Sequence, residues 1–269
     1  RLELFWTNVI LNLKKLHKNK ISSIVTFNFS YFAEVALYAG CKKNNLPVKL
    51  WFKECFRSDP SIKDYIKNNK YSHVFKFIQK ISVYNKFMKN TLIAVNKSNS
   101  KKITVNGCPR IYDYINKKKY YKKIKDILFL SFHIKGGITP DKKNKNLNWN
   151  FSYDKTIKIL NEISNNKKVN IIIKRKESRA IKTKYKINKN IKIFHEGSAQ
   201  KYINQADIII GQNSASTIEA LINGKHVFVP FFEKKKELKK HLYNFNKQII
   251  YKSENKMKEK ILNLIDKKF

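Results

Sequence analysis

At 269 residues the chain is long enough for two α/β domains of about 100 to 150 residues each and too long for one open sheet with an ordinary core. Its 58 Lys and Arg face only 19 Asp and Glu, a formal charge of +39 that attracts polyanions; coding bias would have enriched the acids as well, so the excess reads as real. No apolar run reaches the roughly 18 residues of a membrane span, no secretory leader pattern is present, and Cys41, Cys55 and Cys108 lack the spacing of a zinc site or disulfide framework, so buried free thiols are expected.

Leu4, Phe5, Val9, Leu11, Leu13 and Leu16 recur at helical spacing over 2–16, and Lys14, Lys15 and Lys18 lie near the end where cations suit the dipole. A strand at 24–28, a helix over 29–39 ended by Gly40, and a strand at 48–52 form a βαβ unit with a right-handed crossover. The charged residues Lys53 and Glu54 then leave an apolar strand at its carboxyl end, where α/β sites are built. A helical stretch from 59 leads to Tyr65, Ile66, Tyr71, Val74, Phe75, Phe77 and Ile78, interleaved with lysines. That pattern suits base stacking, a headgroup interface or a core face with solvated lysines. A run at 102–110 carries Gly107, Pro109 and Arg110, and the lysine- and tyrosine-rich 117–125 reads as an interdomain connection.

A second domain opens at Asp126 with a strand at 127–130. At its carboxyl end stand Ser131, His133, Lys135, Gly136 and Gly137; the glycines let backbone approach a diphosphate and Lys135 supplies a point charge. A helix at 153–163, a strand at 169–176, a strand and loop at 191–197 and a short helix at 199–204 follow, and an amphipathic helix at 257–265 ends the pattern.

The stretch 206–230 says most about function. Ile208, Ile209 and Ile210 lack alternation, as in a strand covered on both faces. Gly211 breaks it; Asn213, Ser214 and Ser216 are possible N-caps; and Ile218, Leu221 and Ile222 share a helix face until Gly224. Val227–Val229 is the next strand, closed by Pro230. Free N–H groups and the Ser214 hydroxyl at such a helix start favour an anionic phosphate, and Glu219, one turn on, suits a ribose. The alternative is a plain cap at Ser214 with Glu219 as a solvated surface residue.

An aspartate before an apolar strand, then Asn213-Ser214, Glu219-Ala220-Leu221, Gly224-Lys225 and Val227–Pro230 resembles the donor segment of GT-B glycosyltransferases, particularly those of bacterial surface-carbohydrate synthesis. The resemblance implies that Ser214 contacts donor phosphate and Glu219 the ribose; His226 stands where the family usually has proline. Gly107, Pro109 and Arg110, with Asp113 displaced by one, are similar to the motif ending the first domain. Lys174 matches a Lys-Pro-His-Pro stretch, so a phosphate role can persist, whereas Lys176 replaces the histidine and removes a histidine-dependent acid step. A similar Lys-Glu pair in related enzymes makes Glu54 the candidate base for the acceptor hydroxyl, the alternative being a Lys53–Glu54 ion pair.

The expected fold is therefore α/β with two Rossmann-like domains, an acceptor domain at 1–118 and a donor domain at 126–269. The opening at Arg1 fits an acceptor domain lacking its first strands. The expected activity is metal-independent sugar transfer from a nucleotide sugar, a substrate and not a cofactor, to a surface-polysaccharide or lipid-linked acceptor, in the cytoplasm or on the inner face of the membrane. No Asp-x-Asp pair offers metal ligands. Donor contacts fall to Ser214, Glu219, Lys174, Ser131, His133, Lys135, Gly136 and Asn213. The alternatives are a polyol-phosphate transferase, a sugar-nucleotide epimerase of the same fold, and a noncatalytic nucleic-acid binder, which lacks a recognisable binding module.

Overall fold

The computed structural model describes residues 1–18, 20–53, 56–70, 72–111, 123–138, 145–175 and 183–267. Glu54, Cys55, Tyr71, Asp113, Lys176 and most of the 117–125 connection lie outside these. The chain divides into two compact units, Arg1–Pro109 and Arg110–Phe269, each an α/β layer structure around a parallel sheet.

Unit 1 runs α1 (Leu2–Leu16), β1 (Ile24–Thr26), α2 (Phe32–Lys43), β2 (Val48–Trp51), α3 (Ile62–Asn68), β3 (Ile78–Val83), α4 (Lys86–Val95) and β4 (Ile103–Val105). The strands lie side by side in chain order, all parallel. Every step goes the same way, so right-handed crossovers carry the helices to one face. The register shows the result. Thr26, Leu50, Ile81 and Ile103 form a row that is buried, while the neighbouring row of Val25, Lys49 and Lys80 is exposed.

Two expectations change here. The helix expected at 29–39 starts three residues later and passes through Gly40 instead of ending there. At that glycine a Cβ would lie 2.9 Å from the Thr7 backbone nitrogen, so the missing side chain serves helix contact between α1 and α2, not termination. In the basic aromatic region Ile66, Val74, Phe75 and Ile78 are core residues, which selects the reading of a buried face with solvated lysines. Cys41 is a buried thiol, its pKa pushed up to about 11 by burial, and Cys108 is buried too.

Unit 2 runs β5 (Asp126–Leu130), α5 (Asn150–Asn166), β6 (Asn170–Lys174), β7 (Ile191–Phe194), α6 (Ala199–Gln205), β8 (Ile208–Ile210), α7 (Ala215–Ile222), β9 (His226–Pro230), β10 (Ile250–Tyr251) and α8 (Glu254–Asp266). The strand expected at 169–176 is shorter, because Lys174 ends the pairing with β5 and β7. Its sheet order, β10-β9-β8-β5-β6-β7, is that of a doubly wound fold, with the direction of winding reversing between β5 and β8. Helices therefore cover both faces. On one, α5 and α8 are tied by Lys155–Glu254, Lys258–Glu162 and Lys167–Asp266 ion pairs; on the other, α6 packs beside α7. Burial on both sides explains the unbroken run Ile208–Ile210, which is wholly buried. Asp207, just before it, accepts from the backbone nitrogens of Lys125 and Asp126 at 2.9 and 3.2 Å and so ties β8 to the start of β5.

Candidate functional site

In a doubly wound sheet, ligands collect outside the carboxyl ends of the strands where the winding reverses. In unit 2 that point is flanked by the loop after β5, residues 131–138, and the loop after β8, residues 211–214. The two loops touch: Gly137 adopts φ +74°, and a Cβ there would lie 2.7 Å from the Asn213 amide nitrogen. Only glycine meets both demands.

The first loop is a tight turn. Gly136 N donates to His133 O at 2.7 Å, and Trp149, fully buried ahead of α5, donates its indole N–H to Gly136 O at 2.8 Å and its backbone N–H to Ile134 O at 2.7 Å. Ser131 Oγ lies 3.3 Å from the Tyr153 hydroxyl. His133 and Lys135 are exposed, and the Lys135 ammonium reaches Lys145 O at 3.3 Å. The backbone of this turn is thus fixed by the core beneath it, while its charged side chain stays at the surface.

The second loop is clamped from a distance. Asn213 donates to His241 O at 2.7 Å and accepts from Tyr243 N at 3.0 Å, so its side chain fixes the loop. Of the three possible caps, Ser214 is the N-cap of α7, with Oγ accepting from Ser216 N at 3.2 Å. Glu219 is 3 % exposed, which rules out a solvated surface carboxylate. Gln212, in the loop after β8 and 1 % exposed, donates to Pro230 O at 3.2 Å, and its carbonyl oxygen is buried without a hydrogen bond.

Lys174 closes the carboxyl end of β6 and is buried. Its ammonium donates to Arg175 O at 2.9 Å and His195 O at 2.7 Å, so two of its three donors bind strand ends. The structure therefore brings Ser131, Gly136, Asn213 and Ser214 to one crevice edge, and it spends the side chains of Lys174 and Asn213 on holding backbone.

Unit 1 holds a half-buried carboxylate at the start of α2. Glu34, in the first turn of α2 beyond the carboxyl end of β1, accepts from the Tyr31 backbone, while its Oε2 is buried without a hydrogen bond. Burial raises its pKa, against the lowering effects of that hydrogen bond and the Lys53 charge. A helix-start glutamate after a strand was the available signal; its burial was not. Beyond Glu54, Arg57 makes a paired contact with the fully buried Asp59 at 3.0 and 2.8 Å, and Ser61 Oγ donates to the same carboxylate at 2.6 Å. Among the described residues no cluster of His, Cys, Asp or Glu stands ready to hold a metal, and no helix is long and apolar enough to cross a membrane.

This architecture, two α/β units each built on a parallel sheet and one of them doubly wound, matches the GT-B-like fold. The UDP-GlcNAc 2-epimerase of Methanocaldococcus jannaschii matches with a TM-score of 0.60 at 15 % identity, over 99 % of this chain and 75 % of its own. The Neisseria meningitidis UDP-GlcNAc 2-epimerase bound to UDP-GlcNAc matches at 0.56 and 13 %, over 99 % and 74 %. A glycosyltransferase from Rickettsia africae matches at 0.54 and 15 %, over 97 % and 70 %. At the sequence level no family model and no curated protein matches.

Proposed function

We propose that the chain is an enzyme acting on a nucleoside diphosphate sugar bound at the carboxyl edge of the unit 2 sheet. The observation that carries this reading is the meeting of Gly137 with Asn213, which joins the glycine turn after β5 to the start of α7 where the winding reverses. In the proposal the diphosphate lies against the N-terminus of α7, with contacts from Ser214, Ser131 and the Gly136 backbone and with Lys135 and His133 at the mouth. Glu219 takes the ribose. Lys174 and Asn213 act by holding the loops.

The first reading of the chemistry is transfer of the sugar to a saccharide or lipid-linked acceptor without a metal, with Glu54 as the base. The epimerase likenesses favour a second reading, inversion within the nucleotide sugar, equally compatible with the fold. Product analysis after incubation with UDP-GlcNAc separates them. An isomerised nucleotide sugar without any acceptor supports epimerisation, and acceptor-dependent UDP release supports transfer. If transfer is the reaction, Glu54→Gln keeps nucleotide binding and lowers turnover by about 10² to 10⁴, whereas near-normal transfer removes Glu54 as the base.

A place on the inner face of an anionic membrane belongs to the same proposal. The charge of +39 supports it, as do the exposed Leu4, Phe5 and Leu16 of α1, the last of them next to Lys15. Binding to anionic vesicles that weakens with salt is expected, and equal retention by neutral vesicles would count against it.

A further inference from the structure

A second polar pocket opens in unit 2, sharing no residue with the crevice loops. It has a volume of ≈ 380 Å³ and is lined from three segments: Asn148, Asn150, Phe151 and Asp154 at the start of α5, Thr183 and Lys184 before β7, and Glu233 and Lys235 after β9. Its charge is unusual for this chain. Basic residues outnumber acidic ones 58 to 19 overall, yet the pocket holds two carboxylates and two lysines.

Both carboxylates are anchored, Glu233 by the Phe151 backbone and the Ser152 backbone and side chain, Asp154 by the Lys184 backbone. Glu233 Oε1 accepts from Ser152 N at 2.9 Å, capping a helix whose N-cap residue, Trp149, supplies no side-chain cap. Asp154 Oδ1 accepts from Lys184 N at 3.1 Å, and its Oδ2 takes no hydrogen bond among the described residues. The amides of Asn148 and Asn150 add donors and acceptors. Phe151 is 39 % exposed, and the Lys155 ammonium lies 5.3 Å from its ring centroid. Anchored carboxylates and amides around one aromatic face match the needs of a sugar ring, whose hydroxyls require paired donors and acceptors and whose C–H face packs on an aromatic. Two carboxylates and two lysines leave the lining without net charge, so it offers an anion no Coulombic advantage over a neutral ring.

We infer that this pocket binds an uncharged saccharide ring, as a subsite separate from the nucleotide crevice. The inference stands on the pocket's own chemistry; only its use as an acceptor or product subsite rests on the nucleotide-sugar reading.

Saturation-transfer NMR on the full chain tests it, with glucose, N-acetylglucosamine and inositol as probes and inorganic phosphate as competitor. The expected result is transfer to ring protons of one of these probes, undisturbed by phosphate and weakened about tenfold or more by Phe151→Ala. Should Phe151→Ala fail to fold, Phe151→Leu keeps the apolar volume, removes the ring face and should weaken binding similarly. No transfer from any probe, displacement by phosphate, or unchanged binding in the folded variant overturns the inference. A UDP titration of the same samples separates the two proposals: UDP binding without sugar binding sinks the pocket alone, and sugar binding without UDP binding sinks the nucleotide reading alone.

Discussion

The two sheets solve the same problem differently. Strand β8 is buried at all three positions, whereas β1 and β2 alternate between core and surface. The cause is topology. Unit 1 steps in one direction and gathers its helices on one face; unit 2 reverses between β5 and β8, covers both faces and creates the crevice the reversal entails. The unbroken burial of β8 thus goes with its place at the centre of a sheet covered on both faces, next to the winding reversal.

Matched truncations sharpen the contrast. Ile209→Ala, in the doubly covered strand, should cost about 2 to 5 kcal/mol, while Val25→Ala, at a side chain 52 % exposed, should stay within about 0.5 kcal/mol. Urea denaturation measures both; equal losses would mean that the open face of unit 1 is covered in solution. A smaller effect, about 1 to 3 kcal/mol, is expected for Asn213→Ala, which removes its hydrogen bonds to His241 O and Tyr243 N. Nucleotide affinity should fall with it, and unchanged affinity would detach the clamp from the site.

Removing the cap in Ser214→Ala should cost roughly 1 kcal/mol and lower UDP affinity without unfolding the chain. The smallest expected effect is a pH slope. Burial raises the Glu233 pKa above its ordinary value of 4.5, against hydrogen bonds at Ser152 and Phe151 and the Lys235 charge. The folded chain therefore binds the proton more tightly, so stability from this group is full below about 4.5 and is lost as pH rises through the folded value. Relative to Glu233→Gln, the parent should lose stability over that window; a flat or rising difference would contradict the assignment.

Much of this fold is legible in the sequence because parallel strands announce their coverage. Ile208, Ile209 and Ile210 run without a break, whereas Lys49 interrupts Val48 and Leu50. The site was less legible, for reasons of distance. Asn213 is held by His241 and Tyr243, some thirty residues on, and Lys174 by His195, so a side chain that reads locally as a ligand contact is committed to remote backbone. Gly40 shows the same limit, ending a helix in sequence terms and admitting α1 in space.

Hydrogen exchange with and without UDP tests the central claim most directly. Slowed exchange is expected at 131–138 and 211–219, the turn after β5 and the start of α7, with unit 1 strands β1 to β4 unchanged. Saturating UDP with no protection at those two segments, or protection confined to other segments, would contradict a nucleotide site at the winding reversal of unit 2.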